Sequence, residues 1–477
     1  MWRDETSQEL RAKSQEPSAT IPALMLQLQS GRTLGNLLCP IVLLLATSTC
    51  ALDRQPNADY RARRVALSRK TNGGVVVLFA AAEAEGPNAL YGFRQDNNFY
   101  YLTGLNEPGA AVLIAPEAAS EGEGRPRPYT EILFLPGHNY SQEKWTGPKL
   151  GPETPDARKT TGFDHVEILD KLRDELVRLL PSPRATVYSD LPAFRETSAS
   201  ATPLEWLRRA NAFPVYVSLE DVKPMLAEMR RVKDAGEVAL IRKATDASIA
   251  AHLAAMHAMK PGMTEREVAA IVQYEFQKRG CERPAYSPIV GAGANSTVLH
   301  YSDDAATIQA GDLVVIDAGG EHSMYATDIT RTLPATGKFT PRQREIYNIV
   351  LGAQEAAIKA FRAGRSTMGG DGDALYKVAY NYLNTHGKDL HGKPLGQYFI
   401  HGLGHFVGLS VHDVGGTTVP LDKGMVFTIE PGVYIPEERL GVRIEDMFYV
   451  EQDGSLVRLT AGLPRTSEEV EAAMAGH

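Results

Sequence analysis

Four apolar runs in the second half of the chain, LVVIDAG, YATDITRT, MVFTIEPGVYI and RIEDMFYV, read as β-strands, and each brings a carboxylate with it: Asp317, Asp328, Glu430 and Glu445. An ionised carboxylate drawn into a sheet is costly unless it is paired or metal-bound. One such acid is commonly a solvated edge residue or half of an ion pair. Four of them, at the ends of β-rich runs with few Lys or Arg between, demand a counter-charge, and any fold open to this chain has to supply it. One added histidine gives a ligand set with four negative charges, enough to balance two divalent ions, so charge counting points to a two-metal site. Oxygen-rich ligation with one imidazole and no thiolate suits a hard divalent ion such as manganese, with zinc and cobalt as alternatives. Two ions about 3.5 to 4 Å apart can share a bridging water, lower its pKa to give hydroxide near neutral pH, and polarise an attacked carbonyl. The reaction class this implies is hydrolysis.

A second signal is HGLGHFVGLSVHD at 401–413, which holds three of the twelve histidines. Spacings of four and seven fit a helical face and an irregular loop equally well. Alone, the segment is either a Gly-rich turn with solvated imidazoles or part of a metal site with proton-shuttling neighbours.

The chain is long enough, at 477 residues, for two domains and a sizeable core, and its 43% apolar and 23% charged content is that of a soluble globular protein. A net charge of −8 with no basic stripe argues against nucleic acid or an anionic membrane as the main partner. In the first half, GGVVVLFAAA at 73–82, AAVLIAP at 110–116 and EILFLPG at 131–137 read as buried strands of a parallel or mixed sheet. EGEGRPRP between the last two reads as a surface loop, and KLRDELVRLL at 171–180 as a helix stopped by Pro181. Strands alternating with helices predict an α/β domain over 55–222. The charged run EMRRVKDAGE then leads into a long helix over about 233–259. Thr264 with Glu267 forms a capping box for a helix to about 279, and Thr340, Pro341 and Gln343 open a third that runs to Gly364. With the strand-like runs between them, residues 223–465 make an α+β domain with a mostly antiparallel sheet, followed by a tail at 466–477.

Residues 1–54 read as a signal or leader, or as a disordered segment. Arg32, the apolar run LLCPIVLLLA and the small residues TSTCA have the order of a secretory signal cleaved after Ala51, with Met25 as an alternative start. Export to the periplasm or exterior is the expectation; a tail on a cytoplasmic protein is the alternative. Ten apolar residues are too few for a bilayer span, which takes about twenty. Of three cysteines, Cys39 and Cys50 fall in the leader, and Cys281 reads as a small buried apolar residue rather than a nucleophile. No G-x-S-x-G, H-E-x-x-H or G-x-x-x-x-G-K-[ST] motif occurs.

The runs DAGGEHSMYATDITRT, HGLGHFVGLSVHD, TIEPGVY and RIEDM, with VLHYSD at 298–303, resemble the pita-bread metallopeptidases of family M24B, specifically the Xaa-Pro aminopeptidases (aminopeptidase P). FRQDNNFYYLTGLNEPGA and EKWTGPKLG are similar to the N-terminal domain of that family, which methionine aminopeptidases lack. The resemblance implies an α/β N-terminal domain followed by an α+β pita-bread catalytic domain, of the creatinase/aminopeptidase-like kind. It makes Asp317, Asp328, His405, Glu430 and Glu445 the ligands of two metals, with Asp328 and Glu445 bridging and Glu430 also handling a proton. His401 and His412 would flank the substrate, His300 and His412 would donate hydrogen bonds to the scissile carbonyl oxygen, and Tyr434 and Arg443 match further active-site positions. A homo-oligomer, dimer or tetramer, acting on peptides with proline second is also implied. The rivals are a prolidase restricted to Xaa-Pro dipeptides, a creatinase-like hydrolase, which lacks the metal set, and a catalytically dead binding module, which would have lost ligands.

Overall fold

The computed structural model describes residues 52–83, 90–115, 131–180, 185–191 and 217–475. The expected leader with Cys39 and Cys50, the EGEGRPRP stretch, Pro181 and the last two residues lie outside the described residues.

The first half is built on one mixed sheet of six strands: β1 (Val75–Phe79), β2 (Ala111–Ile114), β3 (Glu131–Leu135), β4 (Val166–Ile168), β5 (Thr186–Ser189) and β6 (Ser218–Asp221). Their order is β4-β3-β2-β1-β5-β6. The hairpin-like neighbours β1, β2 and β3 pair antiparallel, whereas the outer pairs β3/β4, β1/β5 and β5/β6 are parallel. The three central strands are apolar and buried almost throughout, because both faces of the sheet are covered. Val75, Val77, Leu113 and Phe134 pack with Leu172, Leu176 and Leu179 of the helix Leu172–Leu179. On the other face Val76, Leu78 and Val112 join Phe99 and Tyr100 of the helix Asn97–Thr103, and this core continues into Met324, Tyr325, Val407, Leu409 and Met447 of the second half. The two halves therefore share a core, and residues 52–477 are one compact unit.

In the second half the capping boxes set the helix starts: Asp234/Glu237 opens Ala235–Ala258, Thr264/Glu267 opens Glu265–Lys278 and Thr340/Gln343 opens Pro341–Ala360. The last of these stops at Ala360 and does not run to Gly364. Phe361 turns extended, at φ −57° and ψ 137°, and its buried ring meets Phe427 at 6.1 Å between centroids. All described strand pairs here are antiparallel, but they form several small sheets rather than one. Residues 466–477, expected as a tail, carry the helix Ser467–Met474, which Thr466 and Glu469 cap and which seats Val470 and Met474 in the core.

The continuous strands expected around the four carboxylates are each interrupted or ended at the carboxylate. Asp317 is the last residue of Leu313–Asp317, and Asp328 lies between Tyr325–Ala326 and Thr330–Pro334. Glu430 and Pro431 separate Val426–Ile429 from Gly432–Ile435, and Glu445 sits between Leu440–Arg443 and Asp446–Val450. An unbroken strand sends successive side chains to opposite faces. A break removes that constraint, and Pro431 enforces one by lacking an N–H.

Behind these breaks lies a fully buried pair. Arg331 Nη2 is 2.7 Å from Asp446 Oδ1, and the same guanidinium donates to the carbonyls of Glu445, Thr330 and Pro464. Both side chains are 0% exposed. Removing one partner of such a pair leaves a stranded charge and costs about 3–5 kcal/mol. Arg331→Met is therefore expected to lower the urea midpoint by a corresponding amount. A midpoint equal to that of the unsubstituted chain would show that the pair contributes nothing net.

Candidate metal centre

Two close approaches bring the carboxylate runs together. Gly319 lies against the Thr327 carbonyl, where a Cβ would come within 1.9 Å, so the segments after Asp317 and before Asp328 run in contact. Gly404 lies as closely on the Thr428 carbonyl, at 2.1 Å, and the His405 carbonyl accepts from the Thr428 amide while the Glu430 amide donates to the Leu403 carbonyl. The Gly-rich character of the histidine segment thus serves its packing on the strand Val426–Ile429.

The result is a cavity of about 610 Å³ lined by Asp317, Asp328, His405, Glu430 and Glu445, with His300, His401, His412 and Arg443 also on its wall. All nine predicted catalytic and ligand positions are brought together. Tyr434 stands behind His401, and its hydroxyl is 2.9 Å from His401 Nε2.

Potential donor atoms fall into overlapping groups, each with its atoms within 4.8 Å of one another: Asp317, Asp328 and Glu445; His405, Glu430 and Glu445; and Asp328, His405 and His412. Glu445 belongs to two of these groups, as do Asp328 and His405. His405 Nε2 is 3.2 Å from Asp328, 3.5 Å from Glu430 and 4.0 Å from Glu445. Its Nδ1 meets the Phe406 carbonyl at 3.1 Å, an orientation that turns Nε2 toward the carboxylates.

The electrostatics follow from four acids sharing one buried space. Glu445 is pushed well up by burial and by Asp328, Glu430 and Asp317, and Glu430 is pushed up to about 7 mainly by burial. Burial works against a charged His405, but Asp328 and Glu430 outweigh it and raise the imidazole to about 9. The cluster is short of positive charge, and it recruits a proton to His405 to supply some. Glu445 Oε2 accepts from Thr330 Oγ1 at 2.7 Å, whereas its buried Oε1 has no hydrogen-bond partner. An orphaned carboxylate oxygen amid surplus negative charge fits a divalent cation, and the donor set of hard oxygens plus one imidazole agrees.

Arg443 is the fixed counter-charge. Its Nη2 is 2.6 Å from Asp317 Oδ2, and its Nη1 donates to the Tyr434 hydroxyl at 2.8 Å. His401 Nδ1 is 2.8 Å from the Gly402 carbonyl, which can only accept, so Nδ1 carries the proton and Nε2 accepts from Tyr434. Burial and the nearby Arg443 lower His401 to about 4, keeping it neutral. Both of its nitrogens are committed within the chain. By contrast the exposed His412 ring lies tilted against His405, 4.0 Å between centroids and 34° between planes, and His300 is also exposed on the cavity wall.

Tyr286 joins the site without a sequence signal of its own. Its hydroxyl lies 2.6 Å from Asp317 Oδ1 and 2.5 Å from Asp328 Oδ1, clasping two carboxylates that would otherwise repel. The stretch PAYSPIV has no periodicity to single it out; only its flanking prolines mark a segment held out of helix and ladder. The same holds for His252. It is buried on the long helix with Nε2 3.0 Å from the Ala318 carbonyl, which steadies the backbone beside Asp317.

A family model described as metallopeptidase family M24 matches residues 239–452, and one described as the aminopeptidase P N-terminal domain matches 60–188. The Xaa-Pro aminopeptidase of Escherichia coli (strain K12) is 33% identical over 438 residues, covering 87% of this chain and 97% of that protein. Xaa-Pro aminopeptidase 3 of Homo sapiens is 32% identical over 425 residues, covering 84% and 80%. Among solved structures, Pseudomonas aeruginosa aminopeptidase PepP superposes with a TM-score of 0.76 at 32% identity, over 88% of this chain and 98% of that one. Zinc-substituted E. coli aminopeptidase P in complex with product gives 0.74 at 31%, over 88% and 99%. No helix among the described residues is long and apolar enough to cross a membrane.

Proposed function

The chain belongs to metallopeptidase family M24, among the Xaa-Pro aminopeptidases, and on that premise we propose that its cavity releases the first residue of peptides whose second residue is proline. It is a metallo-aminopeptidase that depends on divalent ions. The observation that carries the reading is the convergence of Asp317, Asp328, His405, Glu430 and Glu445 in one cavity, with histidines on the same wall.

Those five residues would hold two ions, with Asp328 and Glu445 shared between them, and the hard donor set favours manganese over zinc or cobalt. When bound, such a pair polarises the scissile carbonyl and makes water a nucleophile near neutral pH. The chain's own groups supply the rest. Glu430 takes the proton that the attacking water gives up and returns it to the proline nitrogen, which needs one to leave. His300 and His412 donate hydrogen bonds to the carbonyl oxygen as charge develops there. His401, locked by Gly402 and Tyr434, presents a neutral ring beside the substrate, and Arg443, 2.6 Å from Asp317, works against the rise that burial imposes on that carboxyl. A bond to proline is a tertiary amide with no N–H to grip, so recognition falls to the carbonyl and to the shape of the ring.

Peptides longer than two residues are expected to be cleaved with higher kcat/KM than Xaa-Pro dipeptides, with activity lost on chelation and restored by manganese. Cleavage confined to dipeptides would return the prolidase reading. Equal cleavage of peptides with alanine second would remove the proline reading altogether.

A further inference from the structure

The segment FRQDNNFYY belongs to the first half of the chain, yet Arg94 reaches the histidine turn of the second directly and Asn98 reaches it through Arg230. Arg94 Nη2 donates to the Leu409 carbonyl at 2.7 Å, while its Nε sits 2.8 Å from Glu321 Oε2 and 3.0 Å from Oε1. Asn98 Oδ1 accepts from Arg230 Nη1 at 2.7 Å, and Arg230 Nη2 lies 2.6 Å from Asp413 Oδ1. Lys233 Nζ holds the other carboxylate oxygen of Asp413 at 3.0 Å, and the amide of Asn98 donates to Asp190 Oδ2 at 2.7 Å. Leu409 and Asp413 bracket His412 on its two sides.

This cluster is buried: the Arg230, Lys233 and Asp413 side chains are 6%, 0% and 1% exposed. Gly408 is pressed onto it, since a Cβ there would come 2.2 Å from Asp413 Oδ2 and 2.9 Å from the Lys233 side chain. Buried ion pairs are a poor source of stability compared with apolar packing of the same volume; what they impose well is a particular arrangement. Here the arrangement fixed is that of a turn with an exposed imidazole at its tip.

We infer that Arg94 and Asn98 are positioning residues for the reaction, acting through the Leu409 carbonyl and the Arg230–Asp413 pair to hold His412 on the reacting carbonyl. The inference rests on the reading of His412 as a donor to that oxygen. A misplacement of about 1 Å in a catalytic group costs on the order of a hundredfold, so a slackened turn is expected to cost ten- to a hundredfold in kcat while the ions stay in place.

The test is a double-mutant cycle on the metal-loaded full chain, reading kcat, KM and metal content by elemental analysis. Asn98→Leu and Arg94→Gln are each expected to lower kcat about tenfold or more, with KM and two ions per chain retained. In a His412→Ala background the same substitutions are expected to change kcat by less than about twofold, because the group they position is gone. Should Asn98→Leu fail to fold, Arg94→Gln carries the test from a side chain that is 28% exposed. Equal losses in both backgrounds, or no loss in either, overturn the inference while leaving the role of His412 intact. If His412→Ala alone keeps normal turnover, the reading of His412 falls and this inference falls with it.

Discussion

Asp328→Ala and Glu445→Ala are expected to abolish peptidase activity, with a loss of more than about a thousandfold. The geometry singles these two out among the four acids. Glu445 has donor atoms in two of the overlapping groups, and Asp328 faces both Asp317 and His405, so each is positioned to serve two ions at once. Asp317 is different, since Arg443 balances it at 2.6 Å. On the proposed reading, truncating a shared carboxylate would remove a ligand from both ions, and the rest of the set would then carry too little charge for two. Truncating Glu445 also removes a carboxylate whose charge burial opposes first and Asp328, Glu430 and Asp317 oppose next. A second readout follows from this. Manganese should raise the thermal midpoint of the unsubstituted chain by mass action and fail to do so in either variant, while metal-free Glu445→Ala melts no lower than the metal-free parent. Full turnover in either variant at stoichiometric metal, or an undiminished manganese shift, would end the two-metal reading.

The sequence made the chemistry more legible than the connectivity. Carboxylates among apolar neighbours announce a counter-charge wherever they lie, and capping boxes name helix starts from four residues. The ends were harder. The helix from Pro341 stops at Ala360 because Phe361 is drawn into the core, a tertiary contact with no local sign. The strands were read as continuous because each run is apolar, but a broken ladder and an unbroken one share that composition. EMRRVKDAGE shows the same limit from the other side. Two charges in that run, Arg230 and Lys233, are buried on Asp413, a partner 183 and 180 residues further along. A charged run reads as solvated surface until the partner is known. Tyr286 escaped for a related reason, since a lone tyrosine between prolines carries no pattern and its meaning comes wholly from Asp317 and Asp328 closing on it.

His405→Ala and His412→Ala are expected to fail in different ways, although the two ring centroids lie only 4.0 Å apart. His405 meets three carboxylates through Nε2 and is oriented from behind by the Phe406 carbonyl, so its loss should lower metal occupancy, with activity partly restored by excess manganese. His412 lies on the cavity wall, where partial desolvation and then the charge on His405 lower its pKa. As a donor to the developing oxyanion it should leave both ions in place when removed and cost about a hundredfold or more in kcat, the scale set by deleting a single oxyanion donor. Geometry alone keeps a second possibility in view, because His412 shares a donor group with Asp328 and His405 and could serve as a ligand. Charge weighs against that: a neutral sixth ligand would add nothing to four carboxylates whose charge matches two divalent ions, whereas a carbonyl oxygen gaining charge beside them gains from a hydrogen-bond donor, which an exposed imidazole on the cavity wall can supply. Elemental analysis beside kcat separates the cases. Loss of one ion in His412→Ala would make it a ligand, and two ions with near-normal turnover would make it a solvated residue of a Gly-rich turn.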